Sequence, residues 1–324
     1  MRTRSDTRRV VLRRAAQIPF VLLVVSVLVF WLVAVVPGNP GRNALSQYAS
    51  AAQVAAWNAS HGLDGSTLHR YFSWLGDFVS GHWGTSVMLD TPVLGLVLGR
   101  LVNSLLLGLL AFVLMTPIAV AVGFYQAHRA GRPSDRALTI AAVSLSSMPE
   151  FVVGVGLIII FSVTIRWFPV HSEIVGGTSW SERLRVMVLP AITVGAASAG
   201  YVARMVRAGV IETLASASYR TAVLKGLPRG RILLRHVARN SLLPTVAVLG
   251  TQLAAMLGGV VVVETLFNYP GIGQLILDAV LKKDIFVLEA ATLVIAIVSI
   301  VVLLATDLGY LALDPRVRLR AEPA

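Results

Sequence analysis

Long runs of apolar residues separated by short polar segments dominate the chain. Stretches such as VLLVVSVLVFWLVAVV and LVIAIVSIVVLLA are apolar on every helical face, whereas the strands of a membrane barrel would alternate apolar and polar residues. A hydrocarbon core takes roughly 20 helical residues to cross. The pattern therefore predicts an all-α membrane protein with six spans, near residues 17–36, 103–127, 137–163, 187–209, 244–267 and 289–313.

These spans define a membrane domain over residues 17–313, with an N-terminal segment at 1–16 and a tail at 314–324. The basic start, MRTRSDTRRVVLRRAAQ, resembles the first region of a signal peptide. The apolar run after it is as long as a full span, however, and no small-x-small cleavage site follows. We therefore interpret this start as an uncleaved signal anchor.

Residues 37–100 form the one sizeable region expected outside the membrane. After Ser66, a possible N-cap, apolar residues recur at three- and four-residue intervals, and Gly81 can end the helix. The apolar residues are Leu68, Tyr71, Phe72, Leu75, Phe78 and Val79. Such an amphipathic helix either lies on the bilayer or forms a docking surface for an external partner. The stretch 92–101 is expected to be a short interfacial elbow before the second span.

Composition agrees with this picture, with 56% hydrophobic and 14% charged residues. A net charge of +12 would suggest nucleic-acid binding in a soluble protein. Here the basic residues concentrate in alternate connections, at 1–16, 129–136, 204–239 and 316–320. The positive-inside rule makes that side cytoplasmic, and it predicts that both termini lie there. No nucleic-acid partner is expected.

The residues needed for common active sites are missing from the sequence. There is no cysteine, no HExxH and no GxxxxGK[ST] phosphate loop, and all six histidines fall outside the predicted spans. Serines within spans have no histidine or lysine at membrane depth to activate them. We therefore expect no bound metal, no cofactor and no ATP hydrolysis by this chain.

Four acids lie in or at the ends of spans: Glu150, Glu264, Glu289 and Asp307. Each is costly in lipid, so each is expected to face protein or water. Glu150 follows Pro149, which loosens the third span and frees a backbone carbonyl. We hypothesise that this kink lines a translocation path. A neutral glutamic acid that is hydrogen-bonded within the bundle is the equally open alternative.

The other acids favour a structural role. Glu289 and Asp307 are hypothesised to pair with Arg204 or Arg207, and Glu264 is grouped with them as a structural intramembrane charge. A proton-coupled secondary transporter also uses intramembrane acids, so these residues alone do not separate the two function classes.

A basic, breakable segment joins the fourth and fifth spans, at residues 210–243. Gly226 suits the residue after a helix, where the chain turns through positive φ, and Pro228 suits the start of the next helix. Arg231, Arg235 and Arg239 follow at four-residue spacing and would stack on one face. Because three like charges disfavour an isolated helix, an anionic partner is expected to offset them.

Two partners fit this segment. Anionic lipid head groups attract arginines beside a membrane. Alternatively, a protein groove would take a small apolar ridge of Ala222, Leu224 and Leu227 with a collar that includes Arg220 and Lys225.

The segment YRTAVLKGLPRGRILLRHVARNSLLPTV resembles the coupling loop of ABC importer permeases, in particular the first permease subunit of the dipeptide, oligopeptide and nickel branch. VVPGNP, HGLD, GHWGTSV, SSMPEFVVG, VVVETLFNYPGIGQL and LDPRVR resemble that branch in the same order. The resemblance covers residues 10 to 318. Two positions depart from the pattern. Arg220-Thr221-Ala222 stands where the general permease motif begins Glu-Ala-Ala. Ser216-Ala217-Ser218 lacks the acid that relatives often carry, which leaves the N-cap of the coupling helix open.

The resemblance implies a type I importer fold in a bacterial inner membrane. It implies a second, similar permease, two ATPases that bind the ATP and magnesium, and an external substrate-binding protein that contacts region 37–100. It also implies that residues 212–243 dock an ATPase and that the solute is a di- or oligopeptide, nickel or a related small molecule. The coupling residues would be Tyr219, Arg220, Thr221, Ala222, Lys225, Gly226, Leu227, Arg231 and Arg235. A secondary transporter and a membrane-embedded enzyme are the rival classes; the broken-helix repeats of the first and the catalytic pairs of the second are not visible in the sequence.

Overall fold

The computed structural model describes residues 18–33, 39–45, 48–174, 177, 179–258 and 260–313. The expectations for 1–16 and 314–324 lie outside this part of the chain. The helices of the first half are α1 (Ile18–Val33), α2 (Pro40–Leu45), α3 (Ala51–Ser60), α4 (Thr67–Ser80), α5 (Val93–His128), α6 (Pro133–Ser147) and α7 (Glu150–Leu157). The helices of the second half are α8 (Trp180–Ala215), α9 (Ala217–Leu224), α10 (Arg229–Arg231), α11 (Arg239–Gly258), α12 (Val261–Leu266), α13 (Ile272–Lys282) and α14 (Ile285–Leu313). Ile158–Thr164 and Ile232–Ala238 are π-helical.

Three of the described helices are long and apolar enough to cross a membrane: α5, α8 and the Ile285–Thr306 part of α14. The bent pair formed by Pro133–Ser147 and Glu150–Thr164 makes a fourth if it is counted as one span. These correspond to the second, fourth, sixth and third predicted spans. The first prediction is represented by the shorter apolar helix α1, so a count of six stays a prediction.

The fifth predicted span, 244–267, is divided between α11 and α12 in the structure. Helix α11 ends at Gly258, and glycine is among the residues least favourable to a helix interior. The expected elbow at 92–101 also differs, because α5 already begins at Val93. No breaker separates Val93 from the span that follows it, so the helix runs through.

The third span is sharply broken, as the proline suggested. The helix axis bends by 107° between the two halves. Met148 between them is extended, with φ −77° and ψ 136°. A residue before proline is disfavoured in the α region, which explains why the helix ends at that point. Pro149 then precedes the first residue of α7.

The described chain divides into two compact units. The first contains Leu105–Tyr269 and the residues from Val301 onward. One of its apolar clusters joins α5, α8 and α11–α12 through Leu107, Ala111, Met187, Leu189, Val194, Met256, Val263 and Phe267. A second cluster in this unit lies around Val206 of α8 and includes residues of α5, α9 and the π-helix Ile232–Ala238.

The second unit contains Leu12–Ser104 and Pro270–Ile300. Its core consists of Val93, Val97, Ile272, Leu275, Ala279, Val287, Ala290, Ala291 and Val294. The buried Asp284 carboxylate accepts hydrogen bonds from the Ser86 hydroxyl at 2.6 Å and from the Met88 amide at 3.1 Å, and it also accepts one from the Val287 amide in the first turn of α14. This side chain therefore ties the connection before α5 to the start of α14.

Helix α4 forms where the apolar periodicity predicted it. The Ser66 hydroxyl accepts a hydrogen bond from the His69 amide, and Gly81 ends the helix with φ 83°. Tyr71 faces α1, where its hydroxyl lies 2.8 Å from that of Ser26. Three large apolar side chains of the same helix are exposed, those of Leu68, Phe72 and Val79.

Candidate functional site

The connection between α8 and α11 is a helical hairpin, defined here as residues 216–238. Helix α8 runs to Ala215, and Ser216 is then extended, with φ −71° and ψ 153°, so α9 is a separate helix. The Ser216 hydroxyl accepts a hydrogen bond from the Tyr219 amide at 3.3 Å. This serine therefore supplies the N-cap that the missing acid had left open.

The tip of the hairpin is a tight left-handed turn. Gly226 has φ +67°, a conformation that favours glycine because it has no Cβ. Its amide donates to the Val223 carbonyl at 2.9 Å, and the Leu227 amide donates to the Ala222 carbonyl at 3.4 Å. The next helix begins after Pro228, whose carbonyl accepts from the Ile232 amide at 3.1 Å. The expected stop at Gly226 and restart near Pro228 are both present.

The inner face of the hairpin is packed against the rest of the first unit, to which the hairpin belongs. Ala222 is only 3% exposed, and Ile232 and Val237 are buried with it. They belong to the cluster around Val206 of α8, which Tyr219 and Leu227 join from the rim. Displacement of the hairpin would therefore act on α8 directly, because close-packed side chains transmit strain.

The outer face differs in part from the predicted apolar ridge. Leu224 is 87% exposed and Val223 is 47% exposed, whereas Ala222 points into the core and Leu227 is half-buried. A one-residue shift along α9 rotates a side chain by about 100°. The ridge available to a partner is therefore Val223 and Leu224. The polar side chains exposed around it are Arg220, Thr221, Lys225, Arg231 and Arg235.

The second arm of the hairpin is π-helical from Ile232 to Ala238. Hydrogen bonds in a π-helix run between residues five apart, so a four-residue spacing no longer corresponds to one α-helical turn. The expected stacking of Arg231 and Arg235 rested on α-helical geometry. Both side chains are exposed, and the side chain of Arg239 lies outside the described residues.

A salt bridge that sequence reasoning missed lies in the same unit, on α6 and α8. Asp135 accepts two hydrogen bonds from the guanidinium of Arg207, both at 2.8 Å, and a third from the Gly131 amide at 2.9 Å. Asp135 is buried and Arg207 is partly exposed. Bidentate arginine–carboxylate pairs combine strength with a fixed geometry. The available signal was an acid in the first turn of α6 and one of the four arginines of α8.

Pro149 and Glu150 lie at the break in the third span. Pro149 is exposed, and Glu150, in the first turn of α7, is partly exposed. An acid suits the positive end of a helix dipole at this position. The structure therefore brings the two predicted residues together at a bend whose backbone is not continuous helix.

The charges predicted to be structural occupy different environments. Glu264 is fully buried in α12, and the nearby Tyr269 is buried as well. Burial, with a contribution from the negative charge of Glu264, raises the pKa of the Tyr269 phenol, which therefore stays protonated. The Arg204 guanidinium lies 6.0 Å from the ring centroid of Tyr201, and its buried Nε makes no hydrogen bond within the described part of the chain.

The pairing hypothesised for Glu289 needs correction, whereas the pairing of Asp307 stays a prediction. Arg207 pairs with Asp135 instead, and the cation whose charge acts on Glu289 is Arg70 of α4. The side chain of Asp307 lies outside the described residues. Sequence reasoning considered Arg204 and Arg207 and overlooked Arg70, on a helix outside the predicted spans.

No group of three or more histidine, cysteine or acidic side chains is arranged to hold a metal ion among the residues that the structure describes.

Comparison with known proteins assigns both parts of the chain. Residues 119–319 match the family described as binding-protein-dependent transport system inner membrane component, and residues 7–104 match the N-terminal part of such membrane components. The glutathione transport system permease protein GsiC of Escherichia coli (strain K12) is 34% identical over 297 residues, which cover 92% of this chain and 94% of that protein. The probable peptide ABC transporter permease protein y4tP of Sinorhizobium fredii is 32% identical over 312 residues, which cover 95% and 98% of the two chains.

Proposed function

Because the chain belongs to the family of inner membrane components of binding-protein-dependent transport systems, we propose that it is the permease that receives force from ATPase subunits through the hairpin 216–238. The family consists of transport permeases and not of enzymes. In this proposal the partner ATPases bind the ATP and magnesium, and this chain conducts the solute.

The exposed tip of the hairpin carries the coupling proposal. Leu224 is 87% exposed on a short helix that the buried Ala222 anchors to the protein, and Arg220 and Lys225 lie near it in the sequence. An exposed leucine at a rigid tip, with a polar collar, suits the groove of a partner protein. Lipid head groups would attract the arginines but would not require this placement of Val223 and Leu224.

The inner face explains how the force would travel. Ala222 and Ile232 anchor both arms of the hairpin against the cluster around Val206. When the ATPases close, the tip would move, and α8 and α11 would follow it as attached levers. The residues proposed to act in coupling therefore fall into two groups. Val223, Leu224, Arg220, Thr221, Lys225, Arg231 and Arg235 contact the partner, whereas Tyr219, Ala222, Gly226 and Leu227 maintain the shape of the hairpin.

The remaining partners follow from the family. We include a second, similar permease, two ATPases and an external substrate-binding protein, with the hairpin and both termini in the cytoplasm. Region 37–100 is proposed to contact the binding protein, and the exposed Leu68, Phe72 and Val79 of α4 support this with an apolar surface. The lipid bilayer remains an alternative partner for the same surface.

We propose small peptides or related solutes as the substrate class, on the strength of the relatives named for glutathione and peptide transport. The break at Pro149–Glu150 is proposed to line the path, because a bend leaves backbone groups available to water or solute. A proton-coupled secondary transporter is the less favoured alternative. It would give Glu150 and Glu289 a role in proton transfer but would leave the exposed tip of the hairpin unexplained.

The coupling proposal is tested by co-expressing the tagged chain with its ATPase subunits and measuring the amount of ATPase retained on purification. Leu224→Asp is expected to reduce the retained ATPase at least about tenfold, since it puts a charge into an apolar contact. Leu281→Asp is the matched control, because Leu281 is similarly exposed, at 71%, but lies on α13 of the second unit.

Gly226→Val in the same complex is expected to retain the ATPases but to lower solute uptake per ATP hydrolysed, because valine disfavours φ +67° and distorts the tip. Gly226→Asn is the milder control, since asparagine tolerates the left-handed region. Equal ATPase retention by wild type and Leu224→Asp, together with normal coupling in Gly226→Val, would contradict the role of the hairpin.

A further inference from the structure

The second unit contains a cavity of about 390 Å³ that the coupling mechanism does not use. Its walls come from α1, from the end of α3 and the turn after it, from α4 and the residues after it, and from the first two turns of α14. Exposed side chains surround the mouth, among them His61, Asp77 and His82. Buried or partly buried groups line the interior. The cavity therefore has an exposed side and a buried side.

Glu289 is the buried acidic side chain of that cavity. It is only 6% exposed, and its carboxylate makes no hydrogen bond or ion pair with any residue that the structure describes. A carboxylate removed from water in this way is costly unless a partner satisfies it. Its neighbours in the lining include Phe286 and Ala290, which offer no polar side-chain atom.

Arg70 supplies the opposite charge from α4. Its guanidinium carbon lies 5.9 Å from the ring centroid of Phe30, and its Nε is buried and makes no hydrogen bond in the described part of the chain. Arg70 lines the same cavity and its charge acts on Glu289, but no ion pair joins the two side chains. An acidic and a basic side chain thus face one space, and each has unused hydrogen-bonding capacity.

The size and shape of the cavity suit a small molecule. Ligand sites in proteins usually enclose about 300–1,000 Å³, so this cavity lies at the small end of that range. Trp74 and Trp83 line it beside the charges and provide flat apolar surfaces. An anion alone would leave Glu289 unpaired, and a cation alone would leave Arg70 unpaired.

We propose that this cavity binds a small zwitterionic solute, with its ammonium group on Glu289 and its carboxylate on Arg70. Arginine matches a carboxylate with two parallel hydrogen bonds, and a buried carboxylate is a strong acceptor for an ammonium group. A free amino acid or the two termini of a dipeptide have this chemistry. The inference rests on the proposed function only for the source of the zwitterion, which would be the transported solute on its way to the path.

Binding can be measured on the purified full-length chain in detergent, without ATPases or transport. The dipeptide L-alanyl-L-alanine is titrated while tryptophan fluorescence is recorded, because Trp74 and Trp83 line the cavity. We expect a saturable change. N-acetyl-L-alanyl-L-alanine amide, which carries neither charge, is expected to bind at least about tenfold more weakly.

Glu289→Gln and Arg70→Gln are each expected to weaken dipeptide binding about tenfold or more, because each removes one charged partner. Arg70→Lys keeps the charge but loses the two-pronged geometry, so it is expected to fall between wild type and Arg70→Gln. Asp278→Asn and Arg42→Gln are the matched controls in the same unit. Neither side chain lines the cavity, and neither change is expected to alter affinity.

Three results would overturn the proposal: no saturable binding of the dipeptide by wild type, equal affinity for the blocked dipeptide, or unchanged affinity in both Arg70→Gln and Arg70→Lys. Loss of ATPase retention by Leu224→Asp is measured separately. Absence of dipeptide binding would therefore leave the importer proposal intact, and normal ATPase retention by Leu224→Asp would leave the binding proposal intact.

Discussion

Asp135 and Arg207 show how much one pair of side chains can contribute to this protein. The carboxylate is buried and uses both oxygens on the guanidinium, and Gly131 adds a backbone donor. Removing one partner of a buried pair leaves the other partner unsatisfied, which usually costs more than the pair contributes. Because Arg207 is about one-third exposed, solvent would recover part of that cost on the arginine side.

We predict that Asp135→Asn lowers the free energy of unfolding of the full-length chain by about 1–3 kcal/mol. Asparagine retains one acceptor oxygen but loses the charge and the bidentate contact. For a chain of this size the loss corresponds to a decrease of about 1.5–4.5 °C in the melting temperature, which can be measured in detergent by thermal unfolding. Asp64→Asn, at an exposed position, is the control and is expected to melt as wild type does. Identical melting of Asp135→Asn and wild type would show that the pair adds no stability.

Among the elements, the broken third span depends most on a single position. The extended backbone of Met148 and the proline after it separate α6 from α7, and the two halves meet at 107°. The local cause is steric, because proline restricts the residue before it. Packing of α6 and α7 against α8 then holds the bend in the folded protein, with Gly200 of α8 close to the Ala142 carbonyl of α6.

We predict that Pro149→Ala partly straightens this span. The chain has no cysteine, so spin labels can be attached at Ile140→Cys and Ile160→Cys, both exposed positions in the first unit. A straight helix would separate these positions by about 30 Å. Double electron–electron resonance should give a distance between the two labels well below that value when Pro149 is present. In Pro149→Ala the distance is expected to be at least about 5 Å longer.

Glu150→Ala is the matched variant for the same element, because it removes the acid and leaves Pro149 in place. We expect the label distance to remain unchanged and solute uptake by the assembled importer to fall about tenfold. Unchanged uptake by Glu150→Ala would show that Glu150 does not line the path. An unchanged label distance in Pro149→Ala would show that packing, and not the proline, causes the bend.

At the scale of the whole molecule, the proposed mechanism requires the hairpin to be cytoplasmic and region 37–100 to be external. The basic residues of 204–239 support this orientation, because positive charges concentrate on the cytoplasmic side. The same orientation would place the mouth of the zwitterion cavity, with His61 and Asp77, on the side from which an imported solute arrives.

We predict that Asp64→Cys reacts with a membrane-impermeant maleimide in intact cells, after permeabilisation of any outer membrane, whereas Leu224→Cys reacts only once the inner membrane is opened. Both positions are exposed, so access and not burial decides the result. The parent chain, which has no cysteine, provides the background. Labelling of Leu224→Cys from outside would reverse the orientation and end the coupling proposal.

Local patterns determined a large part of this protein. The apolar runs indicated membrane helices, and α5, α8 and α14 bear this out by length and composition. The cap at Ser66, the stop at Gly81 and the left-handed turn at Gly226 also followed from the sequence. Each of these features depends on a few neighbouring residues, because periodicity, capping and φ preference act within one or two helical turns.

Only the tertiary structure decided which distant residues meet. It paired Arg207 with Asp135, connected Asp284 to the Ser86 hydroxyl and turned Ala222 inward, so that Leu224 forms the tip. It also placed Arg70 and Glu289 around one cavity. These contacts depend on how helices rotate and pack, and a single sequence does not specify that rotation, since several faces of an apolar helix are equally suitable for burial.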